Sequence, residues 1–292
     1  MSKILLIDGT YLAYKSYFAT LYGNASLQTE NGFPTNAIVG FFNTMLALIK
    51  QHNVSHLFVA FDSRVKTFRH EMYEQYKGTR AKAPADFHIQ LNKIQELLTA
   101  CNIANENVER YEADDIIAKI TKMFQNEHEI LIYSADQDLN QLITNNVSII
   151  KKVKNENIIL NIDNFMDYYG ITPEQVIDYK AIVGDSSDNF KGIEGLGPKS
   201  ATSLLEKYQT LENIYAHLDD ITGKTKEKLI NSKENAMRDK YLATLRTDFL
   251  TKTIEIQQLS LLNFSLTPDA IEILDSLELN LIKNKLIKLE IN

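Results

Sequence analysis

Cysteine is almost absent. The only one in 292 residues is Cys101, so no disulfide framework can form within the chain and a reducing compartment is expected. No stretch of 18 apolar residues occurs, which argues against a membrane-spanning helix. The apolar run after Met1-Ser2-Lys3 covers only Ile4 to Ile7, too short for a secretory leader, and the cytoplasm is the default location. There is no internal repeat and no low-complexity tract. No Gly-rich Walker loop is present, which removes the P-loop nucleotide enzymes.

What is present is the composition of a soluble globular protein, 44% hydrophobic and 24% charged, with length for one large domain and a smaller one. A net charge of −7, from 38 acidic and 31 basic residues, argues at first sight against a nucleic-acid partner. The excess disappears once nine carboxylates discussed below are set aside as holders of metal ions. Net charge therefore leaves the partner open.

Short apolar runs at Lys3–Ile7, His56–Phe61 and Glu129–Ser134 read as buried strands, and each is followed at once or within two residues by aspartate: Asp8, Asp62, Asp136 and Asp138. Val147–Ile150 and Ile158–Leu160 read as further short strands. Helices are expected over Ala37–Lys50 and Ala85–Ala100, and another starts at Glu112-Ala113-Asp114-Asp115, where Ile116, Ile117, Ile120 and Phe124 share one face. Alternating strands and helices predict an α/β fold with a mostly parallel sheet, whose strand ends gather functional groups along one edge. From Thr172 onward the pattern is helical, and the leucine-rich tail from Pro268 is expected to dock back on the body.

The acids Asp8, Asp62, Glu112, Asp114, Asp115, Asp136, Asp138, Asp185 and Asp188 form the central constellation. Taken singly, an aspartate after a strand is a turn former, and acids in a first helical turn suit the helix dipole. If they converge, they require neutralisation, because two unit charges ~4 Å apart repel by ~4 kcal/mol at an effective dielectric near 20. All-oxygen ligands without histidine or cysteine suit Mg²⁺ or Mn²⁺ rather than zinc, and this many acids points to two ions, a recurrent arrangement for displacement at phosphorus. A calcium loop starting at Asp136 fails, since Gln141 and Val147 occupy its glycine and glutamate positions. A haloacid-dehalogenase nucleophile fails too, because Leu6 stands where that aspartate is needed.

Residues 64–82 carry Arg64, Lys66, Arg69, Lys77, Arg80 and Lys82 interleaved with Phe68, Tyr73 and Tyr76. Such a segment is either a solvated charged helix or a single-strand binding surface of stacking rings and cations. Gly192-Ile193-Glu194-Gly195-Leu196-Gly197 precedes Pro198, Lys199 and Ser200, which reads either as a structural hairpin or as a backbone phosphate site at a helix start.

In this order, Ile7-Asp8-Gly9-Thr10, Phe61-Asp62 with Lys66-Thr67-Phe68-Arg69, Tyr76-Lys77-Gly78-Thr79-Arg80, Glu112-Ala113-Asp114-Asp115, Ser134-Ala135-Asp136-Gln137-Asp138, Gly184-Asp185-Ser186-Ser187-Asp188-Asn189 and the glycine hairpin resemble the 5′-nuclease family. That family includes flap endonucleases and the 5′→3′ exonuclease domain of bacterial DNA polymerase I. The likeness spans roughly residues 3 to 250.

The resemblance implies a PIN-like nuclease body over 1–171 with a helical arch at about 64–90, an all-α helix-hairpin-helix DNA-binding region over 172–260, and a tail over 261–292. It implies that Asp8, Asp62, Glu112 and Asp114 serve a first metal ion, that Asp138, Asp185 and Asp188 serve a second, that Asp136 lies between them and that Asp115 supports the set. Lys66 and Arg69 correspond to the catalytic basic pair on the scissile phosphate. Tyr73, Tyr76, Lys77 and Arg80 line the 5′ strand. Lys15 stands where many members carry arginine, which keeps the charge but loses the bidentate fork. Gly192, Gly195, Gly197, Lys199 and Ser200 correspond to the duplex-backbone site, where the family often holds K⁺. The residues after 250 are too few for a polymerase, so a free-standing bacterial-type monomer is expected. The implied activity is Mg²⁺-dependent cleavage of DNA at a 5′ flap, overhang or nick, in replication and repair, with an RNA–DNA hybrid also conceivable. The alternatives are a catalytically silent structure-specific DNA-binding protein and a PIN-type ribonuclease.

Overall fold

Strand β1 (Lys3–Asp8) lies at the centre of a six-stranded sheet because its apolar run is covered on both faces. It is followed by α1 (Gly9–Thr20), α2 (Asn36–His52), β2 (His56–Phe61), the short α3 (Phe68–Met72), α4 (Ala85–Ala100) and β3 (Asn105–Asn107). Then come α5 (Ala113–Phe124), β4 (Glu129–Tyr133), β5 (Val147–Val153), β6 (Glu156–Leu160) and α6 (Phe165–Tyr169). The remainder is helical: α7 (Val176–Val183), α8 (Pro198–Tyr208), α9 (Leu211–Ala216), α10 (Gly223–Asn231), α11 (Lys233–Ala243), α12 (Pro268–Ser276) and α13 (Asn280–Ile291). The computed structural model describes residues 2–20, 27–153, 156–249 and 254–291. Among these no helix is long and apolar enough to cross a membrane.

The strand order is β3-β2-β1-β4-β5-β6, parallel except for β6, which pairs antiparallel with β5. Asp8 pairs in register with Ala60 and Ile7 with Tyr133, so the carboxyl ends of β1, β2 and β4 form one edge. Period-two alternation sorts the side chains. Ile4, Leu6, Phe58, Ala60, Ile130 and Ile132 join α5 and the helical region in one apolar cluster. Leu5, Ile7, Leu57, Val59, Phe61 and Leu131 join α1, α2, α4 and the tail in the other. The first cluster runs unbroken from the sheet to Ile182, Leu205 and Leu229, so the helical region shares a core with the sheet. The tail returns to the body: α12 packs on α4, and α13 on α2.

Two elements lie where the sequence carried no expectation. The segment after Asp8, with Tyr11, Tyr14, Tyr17 and Phe18, is the helix α1, and the polar Asn105–Asn107 forms an edge strand that no apolar run announces. The stretch expected to form an arch holds the five-residue α3, then turns that lie down on the loop at 185–189, and reaches the start of α4 at Ala85.

Candidate active site

The site is built on the sheet edge where Asp8 ends β1. Its carboxylate accepts from the Tyr11 amide and from the Ser134 hydroxyl just beyond β4, both at 2.9 Å. Burial, with Asp62 and Asp136 nearby, pushes the Asp8 carboxyl up to about 7. Asp62 follows β2 and accepts from the first amide of α5, Ala113 N, at 2.9 Å, satisfying an amide that the helix itself leaves free. Asp136 is placed by a bond from its amide to Ser134 Oγ at 3.1 Å, and its own Oδ1 accepts from the Asp138 amide at 2.9 Å.

The acids that open α5 have three different environments. Glu112 accepts from Lys77 Nζ at 2.7 Å and from the Tyr76 hydroxyl at 2.9 Å, with Arg69 Nη1 at 3.3 Å. Burial opposes its charge, but the Lys77 ammonium and the Arg69 guanidinium outweigh it and hold the carboxyl down at about 2. Asp114 has the opposite setting. Burial and the carboxylates of Asp136 and Asp8 push it well up, and its buried Oδ1 has no hydrogen-bond partner. Asp115 is fully enclosed. It grips Arg69 through two bonds of 2.6 and 2.8 Å and accepts from the amides of Glu112 and Arg246.

A second group forms around α7. Lys180 Nζ lies 2.6 Å from Asp138, 3.0 Å from Asp185 and 2.7 Å from Asp188. Burial opposes its charge, but the carboxylates of Asp138 and Asp188 outweigh it and raise the ammonium well above its usual range. Asp185 also accepts from the amide and hydroxyl of Ser187, each at 2.7 Å. The sequence reading missed Lys180. Its one local signal is a lysine on a helix, VIDYKAIV, whose only other charge is Asp178.

Several expectations are corrected by position. Asp115, grouped with the metal ligands but expected to support them, has both oxygens occupied by Arg69 and two backbone amides. Arg69, expected on the scissile phosphate, is 2% exposed and also donates Nε to the Leu242 carbonyl at 2.8 Å; desolvation keeps so enclosed a guanidinium with its carboxylate. Tyr76, expected along the single strand, is buried with its hydroxyl on Glu112. Gly192, expected on the duplex backbone, is buried too, and its amide donates to Asp239 Oδ2 at 3.0 Å.

Other basic and aromatic residues do reach the site's rim. Lys66 is exposed, and no hydrogen bond or ion pair engages it among the described residues. Arg80 donates to the Ser187 carbonyl and to Asp188 Oδ1, and the Tyr73 hydroxyl donates to the Asn189 carbonyl at 3.1 Å beneath the Arg238 guanidinium. Lys15 is anchored, donating to the Tyr133 hydroxyl at 2.7 Å next to the Tyr11 ring. Gly195, Gly197, Lys199 and Ser200 are exposed around the start of α8, and the Gly195 carbonyl accepts from Lys228 at 2.8 Å.

The glycines of the hairpin therefore serve different ends. Gly192 has φ +62, and an added Cβ would stand 2.4 Å from the Gly184 amide nitrogen. At Gly197 φ is −99 and an added Cβ meets nothing within 4 Å. Gly192→Ala is expected to lower the melting temperature by several degrees, at a cost of about 1–3 kcal/mol for the strained backbone, while Gly197→Ala melts like the wild type. Equal melting of the two variants would refute this division.

Sequence and structure comparisons bear on the family and the fold. Residues 3–170 match the family model described as 5′-3′ exonuclease, N-terminal resolvase-like domain, and residues 171–265 match 5′-3′ exonuclease, C-terminal SAM fold. DNA polymerase I of Bacillus subtilis is 38% identical over 250 residues, covering 84% of this chain and 28% of that protein, so the chain spans less than a third of that relative. The 5′-3′ exonuclease of Mycoplasmopsis pulmonis is 39% identical over 249 residues, covering 84% of this chain and 81% of that one. Among solved structures, the bacteriophage T5 flap endonuclease in a complex with DNA and metal ions has a TM-score of 0.70 at 20% identity, over 98% of this chain and 97% of that one. The catalytic core of Rad2 with DNA substrate has a TM-score of 0.61 at 16% identity, over 99% and 92%. At those identities the likeness is one of fold. The family models and the two relatives decide the assignment: the chain belongs to the 5′-3′ exonuclease family.

Proposed function

We propose that the chain is a divalent-metal-dependent 5′-nuclease that hydrolyses DNA phosphodiesters near the junction of a 5′ single strand and a duplex. The observation that carries this reading is the charge imbalance at the sheet edge. Asp8 and Asp114 are driven toward protonation by burial and by neighbouring carboxylates, and Asp114 Oδ1 is buried without a partner. Such a set accepts a hard dication readily, and its oxygen-only chemistry fits Mg²⁺, with Mn²⁺ as substitute. Among the described residues no three acidic or imidazole groups are already gathered to hold an ion, so the carboxylates would draw in around it.

Asp8, Asp62, Glu112, Asp114 and Asp136 would hold the first ion, and Asp138, Asp185 and Asp188 the second. Bound there, the ions would supply an activated water and stabilise charge on the leaving oxygen. The chain's own contribution is positioning. Ser134 and Tyr11 orient Asp8, and the buried Arg69 fixes Asp115 and so the start of α5. The exposed Lys66, the Lys15 ammonium and Arg80 are the cations free or near enough to meet phosphate at the rim. Lys199, Ser200 and the amides opening α8 would meet the duplex backbone. A K⁺ ion at the hairpin would meet the Gly195 carbonyl, which accepts from Lys228 in the ion-free chain. The proposed division of the chain is a nuclease body to about residue 171, a DNA-binding helical region to 260 and a packed tail, working as a cytoplasmic monomer.

The test is release of product from a 5′-labelled flap substrate. Cleavage is expected with Mg²⁺ or Mn²⁺ and none in EDTA. Asp185→Ala is expected to lose about 100-fold or more in rate while still binding the flap. Tight flap binding without cleavage in either metal would overturn the nuclease reading, and preferential cleavage of an RNA flap would redirect it to RNA.

A further inference from the structure

We infer that Lys180 is the resident counter-cation of the second carboxylate group: its ammonium holds Asp138, Asp185 and Asp188 together in the ion-free protein and competes with a divalent ion for their centre. This rests on the two-site reading above and sharpens it, because it makes the two sites unequal.

The geometry is specific. An ammonium has three hydrogens and no acceptor, and here three carboxylates surround it at 2.6, 3.0 and 2.7 Å. Every donor is used, and the side chain is 8% exposed beside the Phe190 ring. The backbone arranges this meeting. Helix α7 ends at Gly184, whose φ of +81 reverses the chain, and an added Cβ there would stand 2.7 Å from the Phe190 carbonyl. Asp185 and Phe190 then exchange two backbone hydrogen bonds of 3.0 and 2.7 Å, which closes the loop and returns Asp185 and Asp188 over Lys180. Asp138 arrives independently, from beyond β4.

The first group is neutralised on one side only: Lys77 and Arg69 meet its Glu112, at 2.7 and 3.3 Å. Asp114 Oδ1 stays unpartnered while every oxygen that faces Lys180 is paired. A dication therefore meets an unpartnered carboxyl oxygen at the first group and a positive charge already in residence at the second. Filling the second position requires the Lys180 ammonium to be displaced, and negative charge arriving with a DNA phosphate favours that exchange.

Lys180→Met tests this without turnover. In a Mn²⁺ titration followed by the paramagnetic resonance of the free ion, the DNA-free wild type is expected to show one tight site and a second at least about tenfold weaker. The variant is expected to tighten the second by about tenfold or more. In thermal unfolding, the variant is expected to melt below the wild type in EDTA and to recover with Ca²⁺, which takes over the role of the lost ammonium. A purely structural lysine would leave the loss unrepaired. Failure of the variant to fold even in Ca²⁺, or titrations identical to those of the wild type, would overturn the proposal while leaving the nuclease reading intact. Absence of any ion binding by the wild type would instead remove the nuclease reading itself.

Discussion

Replacing Arg69 with methionine is expected to cost about 3–5 kcal/mol of stability, the largest effect of any substitution near the site. Arg69 is 2% exposed and Asp115 is completely buried, and their two bonds of 2.6 and 2.8 Å lie in a water-free setting. Removing the guanidinium leaves a buried carboxylate with only the Glu112 and Arg246 amides to compensate it. The same side chain ties α3 to the end of α11 through the Leu242 carbonyl, so the base of the segment above the site loosens as well. Denaturant unfolding measures the loss as a shift in midpoint. The double variant Arg69→Met, Asp115→Leu is expected to recover part of it, because a buried pair replaced by apolar side chains leaves no orphaned charge. A single-variant loss below about 1 kcal/mol would mean that the pair is far more hydrated than its enclosure indicates.

Asp8→Asn is expected to raise stability in EDTA at neutral pH while abolishing cleavage. The Asp8 carboxyl has an ordinary value of 3.8 and is pushed up to about 7 in the folded protein. Between those values the native state holds a proton that the unfolded chain has released. Stability of the ion-free protein therefore falls as pH rises from about 4 to about 7, by up to ~1.4 kcal/mol per unit of pH from this group. Glu112 works in the opposite direction. Its carboxyl is held at about 2 against an ordinary 4.5, so its contribution is complete above that ordinary value and is lost as pH falls toward 2. Melting curves from pH 4 to 8 in EDTA are expected to decline for the wild type and to be flatter for Asp8→Asn. Ca²⁺ is expected to flatten the wild-type profile, since an ion holds Asp8 ionised. A variant less stable than the wild type at pH 7 in EDTA would refute the account. Its cleavage rate is expected to fall by about 100-fold or more.

Much of the fold was legible because its signals are local. The apolar runs at Lys3–Ile7, His56–Phe61 and Glu129–Tyr133 are strands, and their parallel pairing puts Asp8, Asp62 and Asp136 on one edge. The spacing of Ile116, Ile117 and Ile120 placed α5, and Pro198 marked the start of α8. Strand β3 was not legible, because Asn105–Asn107 is polar and becomes a strand only by pairing with β2. Helix α1 was not read because Leu12, Ala13 and Ala19 add apolar residues on the faces that the aromatic ones leave, so no polar stripe marks the helical period.

By itself the sequence determined the sheet edge, the acidic constellation and the family, since each depends on short-range periodicity or on motifs read in order. Only the tertiary structure decided which cation meets which carboxylate. Arg69 pairs with Asp115 across 46 positions and Lys180 with Asp138 across 42, and no periodicity carries information over such distances. Burial then fixes the pairings: the enclosed Arg69 is held by Asp115 and the enclosed Lys180 gathers three acids, because desolvation ties a buried charge to its opposite, while the buried Asp114 Oδ1 is left without a partner.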